Sequence, residues 1–144
     1  MSTHAELIAD GRHDLCTEAE VATLVHTFYG QARADALLGP VFAQHVHDWD
    51  HHLAQLVDFW SGLLRGTGRY RGQPMPQHIA LAELRPELFQ RWLALFGEVT
   101  AGMGNPALQE KANRLAAMIA ERLWLGHQRA NRPGQPHQAL RDPG

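Results

Sequence analysis

Residues 48–65 of this 144-residue chain read DWDHHLAQLVDFWSGLLR and follow a helical pattern. Asp48 is a residue type that caps helix N-termini, and the apolar residues after it recur mainly at intervals of three and four. A helix with this spacing presents one apolar face to a core. We therefore predict a long helix from Asp48 to about Arg65, with these residues turned inward: Trp49, Leu53, Leu56, Trp60, Leu63 and Leu64.

Three further helices are predicted on either side of this one. Thr17 and Glu20 have the spacing of a capping box, and apolar residues continue that helix to about residue 33. Pro86 suits the first turn of a helix that ends at Gly102. A last helix starts at about residue 106 and is expected to stop at Gly126, because glycine commonly ends helices.

Two segments between these helices carry turn residues instead of helical periodicity. Residues 35–42 read as a compact turn, and residues 66–76 form an irregular link with three glycines and two prolines. With no strand pattern, we predict a single all-α domain over residues 16–127. A flexible N-terminal arm over 1–15 precedes it, and a disordered tail over 128–144, with three prolines and little apolar content, follows it.

The composition excludes several classes of protein. With 13 Lys and Arg against 15 Asp and Glu, the net charge is −2, which argues against a nucleic-acid or anionic-membrane binder. The longest hydrophobic run is six residues, Leu115 to Ala120, so no transmembrane helix is expected. Cys16 is the sole cysteine and cannot form an internal disulfide. Together with an N-terminus that lacks a secretory pattern, this predicts a cytoplasmic protein.

Ten histidines are more than usual, and their positions sort them. His45, His47, His51 and His52 lie close together, but no Cys, Glu or Asp completes a zinc signature, so a dedicated metal site there is disfavoured. His52 shares the apolar face of its helix, where a core histidine with a local hydrogen bond is the more common case. His78 follows a Pro-x-Pro approach that could aim its ring, although an ordinary half-buried histidine leads on spacing alone.

Taken in order, seven short segments resemble the group III truncated haemoglobins of bacteria. The resemblance covers residues 17–127 and keeps order and spacing throughout. The Gly-Gln-Pro approach to His78 is its most specific part. The segments are Phe28-Tyr29, Leu38-Gly-Pro-Val-Phe42, Trp49 to His52, Phe59-Trp60, Tyr70-Arg-Gly-Gln-Pro74, His78 and Trp92-Leu-Ala-Leu-Phe96.

The resemblance implies a truncated globin fold, a two-over-two helical sandwich around one haem b. His78 matches the proximal histidine, which would bind the iron and leave its opposite face open. Tyr29, His52 and Trp92 match polar positions over that distal, ligand-binding face. Leu56, one turn after His52, would supply an apolar wall beside the iron.

Four further residues are implied to contact the haem. Phe42 matches the aromatic residue that packs on the porphyrin ring, and Phe28 belongs to the same cofactor-binding set. Arg69 and Tyr70 are candidates for holding the propionates. For Arg69, a salt bridge to a neighbouring helix stays open as the alternative.

These placements imply a haem protein that binds dioxygen, nitric oxide or other diatomic ligands and is poorly suited to oxygen delivery. The residue types fit, since Tyr29 donates or accepts, Trp92 only donates, and neutral His52 does either. A nitric oxide dioxygenase-like or peroxidase-like enzyme at the same site, with a reductase as partner, stays open. So does a cofactor-free helical interaction module whose aromatic residues form only a core.

Overall fold

Five α-helices account for most of the chain that the computed structural model describes, namely residues 14–70, 84–131, 134–138 and 140. No strand occurs among these residues, so the predicted all-α class is confirmed. The helices are α1 (Glu18–Ala34), α2 (Gly39–His45), α3 (Trp49–Arg65), α4 (Pro86–Ala101) and α5 (Pro106–Asn131).

The predicted helix starts are confirmed by their hydrogen bonds. The Thr17 hydroxyl accepts from the Glu20 amide at 3.0 Å, and the Glu20 carboxylate accepts from the Thr17 amide at 2.9 Å. At the start of α3, Asp48 Oδ1 accepts from the His51 amide at 3.1 Å. Each bond satisfies an amide that has no partner within its helix, which is why such signals are readable locally.

The turn predicted over residues 35–42 contains the start of the short helix α2, which we did not predict. Asp35 organises it: Oδ2 accepts from the amides of Leu37 and Leu38, both at 3.0 Å, and Oδ1 accepts from Arg91 Nε at 2.7 Å. A single carboxylate therefore joins the end of α1, the start of α2 and the side of α4. The result is a sharp change of direction that presents Phe42, on α2, to α1.

The last helix is longer than expected. Gly126 does not end α5, which continues to Asn131 with His127 and Gln128 buried. The extension is held by later residues, since the Gln138 carbonyl accepts from Trp124 Nε1 at 2.8 Å and from Gln128 Nε2 at 3.0 Å. The prediction of a stop at Gly126 is wrong because this long-range contact outweighs a local glycine.

Contacts with α4 and α5 also order part of the segment that we expected to be a disordered tail. Leu140 is only 2% exposed, its amide donates to Glu121 on α5, and its carbonyl accepts from Gln90 on α4 at 2.6 Å. In the described residues of this segment, an apolar side chain and backbone hydrogen bonds thus replace the predicted disorder. The domain limits themselves stay a prediction.

The helices pack mainly as two pairs, α1 with α3 and α4 with α5, and α1 also packs against α4. Aromatic side chains form the centre, where Trp60 stacks on Phe96 with ring centroids 5.1 Å apart. The two-over-two sandwich itself stays a prediction. In the part of the chain that the structure describes, no helix combines the length and the apolar character needed to cross a membrane.

Candidate functional site

Tyr29 lies at the centre of a cluster of rings on the inner side of α1. Its side chain is 6% exposed, and its ring meets that of Phe28 edge to face at 4.7 Å between centroids. The rings of Phe42 on α2 and of Trp49 and His52 on α3 lie 5.7, 6.4 and 6.2 Å away. Three helices therefore place their aromatic residues around one buried phenol.

The indole of Trp92 on α4 lies near the Tyr29 hydroxyl and favours ionisation of the phenol. Tryptophan can only donate, so it would act on the phenol oxygen as a donor. Burial raises the pKa of Tyr29 well above its usual value, so the phenol keeps its proton at neutral pH. Its own O–H thus remains able to donate to a third group.

Trp92 is held in turn by the aromatic core. Its ring stacks on Phe96 at 5.3 Å with an interplanar angle of 16°, and Phe28 meets its face edge-on at 5.4 Å. The ring of Phe96 also stacks on that of Trp60 on α3. The Trp92 ring is therefore held by Phe28 on α1 and by Phe96 on its own helix.

His52 is half-buried and faces the same cluster. Its ring lies nearly perpendicular to those of Tyr29 and Trp49, at 85° and 84°. Leu56, one turn further along α3, is also half-buried and packs against the core. The structure thus brings together Tyr29, His52 and Trp92, three of the predicted distal residues, with Leu56 beside them on α3.

The residues predicted to contact the cofactor are more dispersed. Phe42 is half-buried beside Tyr29, whereas Phe28 is fully buried in the core. Tyr70 is half-buried with its ring 5.2 Å from that of Phe59, and burial raises its pKa.

Arg69 shows the salt bridges that the sequence left open as an alternative. Its guanidinium lies 2.8 Å from Glu18 on α1 and 3.1 Å from Asp58 on α3. Glu18 also accepts hydrogen bonds from Ser61 and Arg65. Although partial burial opposes ionisation, the hydrogen bonds from Ser61, Arg69 and Arg65 lower the pKa of Glu18 to about 2. A propionate-binding role for Arg69 would have to compete with this network and stays a prediction.

The predicted iron ligand, His78, lies outside the described residues, so its assignment stays a prediction. Elsewhere in the described part of the chain, no group of three or more His, Cys, Asp or Glu side chains comes together as a metal site.

Trp49 belongs to one of the matched segments, but the sequence gave it no role at the site. We expected only that it would face inward, yet its ring joins Phe42 at 5.8 Å and His52 at 5.5 Å. The guanidinium carbon of Arg33 lies 4.2 Å from the centre of the same ring. The available signal was the spacing of three between Trp49 and His52, which places both on one face of α3.

Comparison with known proteins gives two matches from one bacterium. The chain is 33% identical over 113 residues to the group 3 truncated hemoglobin ctb of Campylobacter jejuni, covering 76% of this chain and 89% of that protein. The fold matches the crystal structure of the group III truncated hemoglobin from Campylobacter jejuni, with a TM-score of 0.73 and 30% identity. That match covers 87% of this chain and 99% of the solved one. No protein-family model matches the chain.

Proposed function

Because the chain belongs to the group III truncated haemoglobins, we propose that it is a haem b protein that binds dioxygen, nitric oxide and other diatomic ligands. In this proposal His78 holds the iron as its protein ligand and leaves one position open, the family role that its place in the sequence matches. Tyr29, His52 and Trp92 face the bound ligand.

The observation that carries the proposal is the placement of the polar side chains of Tyr29 and His52 in one cluster of rings, with their ring centroids 6.2 Å apart. Two polar groups thus lie inside a lining that is otherwise aromatic and aliphatic, as ligand pockets require. The half-buried side chains of Phe42 and Leu56 supply apolar surface beside it, which suits the flat apolar face of a porphyrin. When bound, haem iron supplies the position at which a diatomic ligand is held.

Tyr29 is the residue that we expect to hold the ligand. Its hydroxyl belongs to a buried side chain, and because burial raises the pKa of the phenol, Tyr29 keeps the proton that it would donate. A dioxygen ligand gains partial negative charge, so a donated hydrogen bond to it contributes about 1.5–3 kcal/mol. That contribution slows release by about 10- to 150-fold, which favours retention and reaction over delivery.

Two finer functions follow from the same donors. We place nitric oxide oxidation ahead of oxygen delivery, because dioxygen that is tightly retained has time to react with nitric oxide. A reductase would then restore the iron. Peroxidase-like turnover at the same residues is the alternative, and it would require His52 to move protons.

A cytoplasmic location is supported by Cys16, a buried free thiol whose pKa burial raises to about 11.

The absorption spectrum after haem reconstitution tests the proposal, and it must show a Soret band that is altered in His78→Ala. Tyr29→Phe removes the phenol hydroxyl and with it the expected donor, so dioxygen should leave about 10- to 150-fold faster in stopped-flow measurements. Thr27→Val, which removes a hydroxyl from the exposed side of α1, is the matched control and should leave that rate unchanged. Absence of a Soret band in the wild-type protein would instead support the cofactor-free interaction module.

A further inference from the structure

We propose that the ion pair between Asp35 and Arg91 positions Phe42 at the candidate site and so helps to hold the cofactor there. The inference rests on the proposed function for that cofactor, but its structural part concerns only where α2 lies relative to α1 and α4. Asp35 and Arg91 act through the backbone of α2, so both are positioning residues.

The ion pair joins the corner between α1 and α2 to α4. Arg91 lies directly before Trp92 on α4, and its Nε donates to Asp35 Oδ1 at 2.7 Å. The side chain of Asp35 is 9% exposed and that of Arg91 is 39% exposed, so the carboxylate is the more shielded partner. Hydrogen bonds from the Leu38 amide and from Arg91 lower the pKa of Asp35 although desolvation opposes them. The carboxylate is therefore ionised at neutral pH, where the pair is complete.

Hydrogen bonds continue from this carboxylate to Phe42. Asp35 Oδ2 accepts from the amides of Leu37 and Leu38, both at 3.0 Å. The Leu38 carbonyl in turn accepts from the Phe42 amide at 3.2 Å. Because each of these bonds fixes a part of the backbone, the position of the Asp35 carboxylate determines where the first turn of α2 begins. Phe42 lies in the turn that follows.

The short helix α2 depends on such a restraint. It has only seven residues, too few for a helix to be stable without tertiary contacts, and Leu38 at its N-cap makes no side-chain hydrogen bond. Among the described helices, its backbone comes close only to α1. The ring of Phe42 meets those of Tyr29 and Trp49 at 5.7 and 5.8 Å, which holds the side chain but does not join α2 to α4. Loss of the ion pair should therefore loosen α2 before the rest of the fold.

Two substitutions break the link from opposite sides. In Asp35→Asn, the side-chain oxygen can still accept from the two amides of α2, whereas the new NH₂ group offers Arg91 a donor in place of an acceptor. Arg91→Met removes the cation and leaves the carboxylate on those amides. A partly exposed ion pair shifts an equilibrium by about two- to five-fold. We expect each variant to speed amide exchange at Phe42 and Val46, and haem loss to an excess of apomyoglobin, by about that factor.

Hydrogen exchange of the purified protein, followed by NMR, separates positioning from general stability. A purely structural role would speed exchange equally at the buried Leu115 of α5, whereas a positioning role leaves that amide unchanged. The double variant of Asp35→Asn with Arg91→Met should show no more than the larger single effect, since both substitutions remove the same link. Arg91→Lys keeps the cation and should lie closer to the wild type than Arg91→Met. Arg114→Met, which removes an exposed arginine from α5, is the matched control.

Failure of the inference is distinguishable from failure of the proposed function. A wild-type protein without a Soret band refutes the proposed function, while hydrogen exchange still tests whether Asp35 and Arg91 position α2. A Soret band together with unchanged exchange at Phe42, or with equal increases at Phe42 and Leu115, overturns this inference and leaves the proposed function standing.

Two further results would also overturn the inference. Effects that add in the double variant would mean that Asp35 and Arg91 act separately. Faster exchange at Phe42 with unchanged haem loss would mean that the position of Phe42 does not help to hold the cofactor. Arg91→Met changes a partly exposed side chain, so the test holds even if Asp35→Asn fails to fold.

Discussion

Replacing Gly39 by alanine should destabilise the fold, although the same exchange in a helix is usually favourable. Gly39 is the first residue of α2, it is buried, and its backbone lies outside the left-handed region. A Cβ built there would lie 2.5 Å from the carbonyl oxygen of Arg33 and 3.3 Å from its carbon. The obstacle is backbone, so no side-chain rotation relieves it.

The magnitude follows from how little the surrounding backbone can yield. The Gly39 amide donates to the Asp35 carbonyl at 2.8 Å, and the Asp35 carboxylate fixes the next turn. Forcing extra atoms into a packed site costs about 1–3 kcal/mol. For a chain near this size, that corresponds to a drop in melting temperature of about 2–12 °C.

Gly30 provides the matched comparison. It lies inside α1, and a Cβ there would meet no atom within 4 Å. Gly30→Ala should therefore stabilise the protein by about 0.5–1 kcal/mol, since glycine has the greater backbone freedom to lose on folding. Thermal and urea unfolding of the two variants should show opposite signs. A Gly39→Ala variant as stable as Gly30→Ala would refute the reasoning, because it would mean that α2 is free to move away from α1.

Two further predictions concern the network at Glu18 and the segment that ends at Leu140. Because the folded pKa of Glu18 is lowered to about 2, its ionised form stabilises the fold above pH ~4.5, and this contribution is lost as the pH falls towards 2. Urea unfolding should thus show Glu18→Gln as destabilised at pH 7 and equal to the wild type at pH 2, with the exposed Glu98→Gln as control. Deleting residues 132–144 should lower the free energy of unfolding by about 1.5–3 kcal/mol, the worth of one buried leucine, and speed amide exchange at the end of α5. An unchanged stability would show that Leu140 is not part of the core in solution.

The sequence was informative where structure depends on neighbours along the chain. Thr17 with Glu20, Asp48 and Pro86 mark helix starts correctly because each acts within one turn. The end of α5 was misjudged because Gly126 is overridden by hydrogen bonds that Trp124 and Gln128 donate to the carbonyl of Gln138, twelve residues after Gly126. No periodicity records a contact of that kind.

At the candidate site, too, the sequence was least informative about contacts between residues far apart in the chain. From residues alone, Tyr29 and Trp92 were better explained as core aromatic residues, since they are far apart in the chain and neither spacing nor composition connects them. The resemblance to a family grouped them, and in the structure both rings contact the ring of Phe28 edge to face. Arg33 was missed because its partner is a ring face, and an arginine near the end of a helix is usually explained by solvation and the helix dipole. The role of His78 still rests on the resemblance.

The aromatic core and the candidate site are continuous, which bears on how the site could work. Trp60 stacks on Phe96, Phe96 stacks on Trp92, and the rings of Trp92 and Tyr29 both contact Phe28. A donor held this way loses little further freedom when a ligand arrives, so more of its hydrogen-bond energy remains for holding the ligand. His52 differs, because it is half-buried and its ring meets that of the half-buried Trp49. We therefore expect ligand release to depend more on the rigidly packed Tyr29 than on His52.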